Sequence, residues 1–61
     1  MTGSDFTGWM AHMDWNILTT AERLGLGRNT VARYMKDGAP DYIALACAAL
    51  AFGLPKWMVA K

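Results

Sequence analysis

A single cysteine and a single histidine are all that this 61-residue chain offers to a metal or a redox couple. One thiol cannot close an internal disulfide, and no Cys/His spacing has the form of a zinc site, so a reducing cytoplasm is the expected compartment. Charge is also scarce: Asp, Glu, Lys and Arg make up 18% of the chain, and the formal net charge is +1. No paired carboxylates or Cys–His arrangement occurs and the chain is too small to enclose a substrate, so no enzyme is expected and no cofactor or small-molecule ligand is implied. The first residues lack a basic segment followed by an apolar run, and no secretion signal is expected. The longest apolar stretch, Ile43 to Leu54, has 12 residues and is closed by Pro55-Lys56. Roughly 20 are needed to cross a bilayer, so a buried helix is expected there and no membrane partner.

What the chain does have is apolar bulk: 54% hydrophobic residues, three Trp and five Met. One domain, residues 1–61, with one small core is all this length allows, and such a core folds alone only marginally. The apolar surplus therefore points to surface buried between chains.

Helical periodicity runs through the sequence. Ser4 is placed as an N-cap with Asp5 in the first turn, after a loose Met1–Gly3 lead-in. Phe6, Trp9, Met10 and Met13 follow at helical spacing, giving a first helix from Asp5 to about His12. Asn16 caps the next, with Ile17, Leu18, Ala21 and Leu24 as its apolar positions and Gly25 as its stop. Leu26 plugs the core from the turn. Gly27 opens a third helix, with Val31, Tyr34 and Met35 facing inward and Arg28, Asn29, Ala32, Arg33 and Lys36 on the other side. Gly38 ends it, and Pro40 sets up an Ala-rich fourth helix, Asp41 to Phe52, apolar nearly all round and expected to be buried on more than one side. Gly53 stops that helix, and Lys56 to Ala60 forms a last turn or short helix. His12 reads as a helix-end or surface residue and Cys47 as a small buried apolar one. The expected class is an all-α compact bundle of four to five short helices.

The near-neutral total hides a segregation of charge. Residues 16–36 hold Arg23, Arg28, Arg33 and Lys36 against Glu22 alone, a local +3. The rest of the chain holds Lys56 and Lys61 against four aspartates, a local −2. A one-sided basic patch of this kind binds a phosphate backbone while keeping non-specific affinity modest.

The run Leu24-Gly25-Leu26-Gly27-Arg28-Asn29-Thr30-Val31-Ala32-Arg33-Tyr34, with Ala21 four residues before Gly25, resembles the helix-turn-helix of Cro and the phage repressors. Ala21 is small where two helices cross closely, Gly25 supplies a positive φ, and Leu24, Leu26, Val31 and Tyr34 fix the angle between the helices. The resemblance covers about residues 16–36 and implies a lambda-repressor-like bundle. Two positions depart from the family: Thr20 replaces an apolar residue, which weakens packing of the second helix, and Ile17 replaces a Gln that often touches the DNA backbone.

The resemblance also implies which residues meet DNA. Arg28, Asn29, Ala32 and Arg33 would face base edges, Arg suiting guanine O6 and N7, Asn suiting adenine, and Ala32 a thymine methyl. Thr19, Gly27, Thr30 and Lys36 would face phosphates. Four of these have a plainer second reading: Arg28 and Arg33 as solvated surface cations, Asn29 as local capping of a helix that Gly27 caps weakly, and Lys36 as a complement to its helix C-terminus. Phe52, Leu54, Trp57 and Met58 are the expected dimer interface, with closure of the protein's own core as the alternative for the last turn.

The function these readings imply is a sequence-specific double-stranded DNA-binding transcriptional regulator, a repressor acting as a homodimer on a palindromic operator in a bacterial nucleoid or phage-infected cell. The competing reading is a small antitoxin-like interaction module that grips another protein through its apolar C-terminal surface.

Overall fold

The computed structural model describes residues 1–59 and holds four helices: α1 (Gly3–Met13), α2 (Ile17–Leu24), α3 (Arg28–Asp37) and α4 (Asp41–Ala51). α1 packs chiefly against α3, α2 against α3, and α4 against α1. The fold is all-α, with no strand among the described residues.

α1 begins two residues earlier than its apolar pattern suggests, because Thr2, not Ser4, is its cap. The Thr2 hydroxyl accepts from the Asp5 amide at 3.0 Å, and the Asp5 carboxylate accepts from the Thr2 amide at 2.9 Å. This reciprocal box satisfies two of the amides that a helix start leaves without partners. The hydrogen bonds from Thr2 favour the ionised carboxylate and hold the Asp5 pKa below its ordinary value. Nor are the first residues loose. The Met1 carbonyl accepts from the Ala39 amide at 2.9 Å, and the Met1 amino group donates back to the Ala39 carbonyl at 3.1 Å. The α3–α4 corner lies directly beneath. Gly38 there has φ +99°, and a Cβ on it would sit 2.6 Å from the Met1 carbonyl oxygen, so only glycine fits.

Three helices end in the same double hydrogen bond. Trp15 donates to Met10 and Asp14 to Ala11 after α1, Leu26 to Ala21 and Gly25 to Glu22 after α2, and Leu54 to Ala49 and Gly53 to Leu50 after α4. Each is a Schellman arrangement, which needs a left-handed residue at its centre. Gly25 takes φ +69° at no steric cost, whereas Asp14 takes +58° and is the one non-glycine with positive φ among the described residues.

The core is Phe6, Trp9, Met10, Ala21, Val31, Ala39, Ile43 and Cys47, with Met13, Leu24, Leu26, Tyr34, Met35 and Leu50 packed on its margin. Phe6 is fully buried and touches Trp9 and Tyr34, each with ring centroids 5.6 Å away. The Trp9 indole N–H donates to the Cys47 carbonyl at 2.9 Å, tying α1 to α4. The Cys47 thiol is buried with it, and that burial pushes its pKa up to about 11.

Thr20 departs from the rest of this core. It is fully buried, and its Oγ1 has no hydrogen-bond partner. A hydroxyl in a space suited to a methyl costs stability.

Three expectations are corrected. Leu18 does not join the buried stripe of its helix: Ile17, Thr20, Ala21 and Leu24 turn inward, and Leu18 is exposed. α4 stops at Ala51, with Phe52 as its cap, and is buried on one side only. Ile43 and Cys47 face α1, while Tyr42, Leu45 and Phe52 face outward. The α4 sequence is apolar all round, but four short helices offer it one neighbouring surface. Finally, Leu54–Val59 is not helical, since the Schellman turn at Gly53 ends α4 and Pro55 does not continue it. The Ala60 end of the expected last helix lies outside the described residues.

Candidate functional site

α2 and α3 are joined by Gly25, Leu26 and Gly27. Leu26 packs back on the core from the turn, and Val31 on α3 is fully buried, so the orientation of the pair is fixed by apolar contact. Burying Val31, Tyr34 and Met35 forces Arg28, Asn29, Ala32, Arg33 and Lys36 outward, because a helix turns 3.6 residues per revolution. All five are exposed.

The starts of α2 and α3 meet in an open notch of about 650 Å³, lined by Asn16, Ile17, Leu18, Arg28, Asn29 and Ala32. Three expected base-reading residues, Arg28, Asn29 and Ala32, are thus brought together. Arg33 and Lys36 continue the exposed face along α3, outside the notch. Thr19 and Thr30 are half-buried. The Asn16 side chain accepts from the Thr19 amide at 2.8 Å, so that amide is already engaged. Gly27 contributes no side-chain cap to α3, and Asn29 does not cap it either. The first amides of α3 are left facing outward beside Arg28, where the helix dipole favours an anion.

Arg23 lies on the other side of α2, with its guanidinium 5.4 Å from the Trp15 ring centroid. It thus has a packing role apart from the notch.

Asn16, Ile17 and Leu18 line the notch although the sequence placed none of them among the DNA contacts: Asn16 reads as a cap, Ile17 as a departure at a backbone-contact position and Leu18 as an apolar position of α2. Leu18 could have been found by rotating α2 until Ala21 and Leu24 point inward, which leaves position 18 near the opposite edge. Among the described residues no group of three or more His, Cys, Asp or Glu could hold a metal ion, and no helix is long and apolar enough to cross a membrane.

The four expected interface residues are all open to solvent: Phe52, Leu54, Trp57 and Met58 are 82%, 60%, 91% and 72% exposed. Tyr42 and Leu45 on α4 and Val59 in the tail are exposed as well. Leu54 borders a smaller hollow of about 210 Å³ between α2 and α4, with Leu24, Ala46, Ala49 and Leu50 as its apolar wall and Arg23 and Lys56 at its rim.

Comparison of the chain with family models, with curated proteins and with solved structures gave no match. The chemistry of the two surfaces therefore carries the functional reading.

Proposed function

We propose that the protein is a sequence-specific double-stranded DNA-binding regulator that lays α3 in the major groove. One observation carries this reading: Arg28, Asn29, Ala32, Arg33 and Lys36 share the exposed face of one helix, with the start of α2 beside it. That set combines bidentate donors for guanine, an amide for adenine and a cation for phosphate on an element of the right width for the groove. The uncapped start of α3 adds backbone amides that suit a phosphate oxygen.

The apolar band of α4 and the tail supports a homodimer, in which two copies of α3 would meet half-sites about 34 Å apart on a palindromic operator. Occupying that operator would block the polymerase, the simplest mode of regulation for a protein that binds DNA in this way. The same band favours the second reading, an interaction module that grips another protein.

Selection from a random duplex library separates the two. A DNA reader enriches a motif, and a dimeric one enriches an inverted repeat. A pool that stays random removes the DNA reading and leaves the interaction module.

A further inference from the structure

One large apolar side chain stands on the polar side of the molecule. Leu18 is 54% exposed, and every other exposed large apolar side chain among the described residues lies at Tyr42 or beyond. Core packing does not account for it, because Thr20 and Ala21 are the buried residues of its helix. It forms one wall of the notch with Ile17, facing Ala32, Asn29 and Arg28 across the opening. The notch is thus apolar at Ile17, Leu18 and Ala32 and polar at Asn16, Asn29 and Arg28.

The occupant must present a small apolar group next to hydrogen-bonding edges. A phosphate at the start of α3 would engage Arg28 but leave Leu18 and Ala32 uncovered, and the opening is too wide to enclose a free small molecule. A second copy of the chain docked here would bring two sets of Arg28, Arg33 and Lys36 together, which like-charge repulsion opposes. The major groove of DNA offers one apolar group on its base edges, the thymine 5-methyl, in a polyanion that those cations attract.

We propose that Leu18 and Ala32 form a methyl pocket that reads thymine, directly beside the base contacted by Asn29 or Arg28. The inference rests on the DNA reading above and makes Leu18 of α2 a specificity-determining residue, so that α3 does not read the half-site alone.

The test uses the duplex enriched by selection, with each thymine replaced in turn by deoxyuridine. This removes the methyl and keeps every hydrogen-bonding edge. At one thymine per half-site the wild type should lose about fourfold in affinity, the equivalent of one buried methyl group. Leu18→Ala should bind the thymine duplex more weakly and no longer distinguish deoxyuridine at that position. Because Leu18 is exposed, the variant should melt with the wild type, and a circular dichroism melt checks this. An enriched duplex that tolerates deoxyuridine everywhere, that lacks thymine, or that loses affinity for Leu18→Ala equally with and without the methyl, overturns the methyl pocket and leaves the DNA reading standing. A library with no enriched duplex overturns both.

Discussion

On the α2–α3 side the exposed groups are Arg28, Asn29, Ala32, Arg33 and Lys36, with Leu18 as the one large apolar residue among them. On the α4 side and the tail they are Tyr42, Leu45, Phe52, Leu54, Trp57, Met58 and Val59. Each side chain of the second set is at least 60% exposed, and large apolar groups left open in this number mark an interaction surface. Water satisfies the first surface and not the second. Under the proposed reading the polar side meets a charged, hydrogen-bonding partner and parts from it. The apolar side gains by staying covered.

Both sides hang on one core, so the largest expected effect destroys the contrast altogether. Phe6→Ala removes a fully buried ring that touches Trp9 and Tyr34 and should cost about 3–5 kcal/mol. That is most of the stability a domain of this size commands. A thermal melt followed by circular dichroism should show the cooperative transition lost.

The next largest effects should fall on one side only. Arg33→Ala should cost about 1–3 kcal/mol on the preferred duplex and relax base preference, whereas Lys36→Ala should weaken all duplexes alike and reduce the salt slope by about one. Both side chains are exposed, so neither variant should shift the melting temperature. On the opposite side, Phe52→Ser combined with Trp57→Ser should leave the fold of a single copy intact and shift sedimentation toward monomer. A fall in the stability of the dilute monomer would instead mean that these residues close their own core.

Smaller effects sharpen how the core supports both faces. Thr20→Val replaces an unpartnered buried hydroxyl by a methyl of the same shape and should raise stability by about 1 kcal/mol, read from a denaturant titration. Alkaline pH should act in the other direction. Burial raises the Cys47 pKa from 9.0 to about 11, and burial, with the Tyr42 hydroxyl adding to it, raises that of Tyr34. Groups with raised folded-state pKa values contribute stability that is intact below their unfolded values and lost as pH rises through the folded ones. The melting temperature should hold to about pH 8.5 and decline through pH 9–11, less steeply in Cys47→Ala.

The contrast between the sides was legible in the sequence to different depths. For α2 and α3 the caps Asn16 and Gly27, the stops Gly25 and Gly38 and the inward Val31, Tyr34 and Met35 all follow from local rules, because amphipathic spacing and turn chemistry agree there. Leu18 escaped that logic. An apolar residue one position from Ile17 reads as core until the helix is turned to bury Thr20, a polar residue that the apolar spacing passes over and only the family resemblance sets at a packing position. The start of α1 falls at Thr2 and not at Ser4 because Asp5, three residues after Thr2, returns its hydrogen bond, whereas the residue three after Ser4 is Thr7. For α4 the sequence could not say which side is covered, since an Ala-rich helix that is apolar all round carries no phase. Only the packing of Ile43 and Cys47 on α1 sets it, and the tail beyond Gly53 has no periodicity strong enough to continue the helix past Pro55.

The division of labour between the two faces is tested most directly by titrating the isotopically labelled protein with its selected duplex and following backbone amide shifts by NMR. The expected perturbations concentrate at residues 16–19 and 28–36, with Tyr42 to Val59 unmoved beyond any change in oligomeric state. Perturbations centred on α4 and the tail while α3 stays silent would contradict the assignment of α3 as the reading helix.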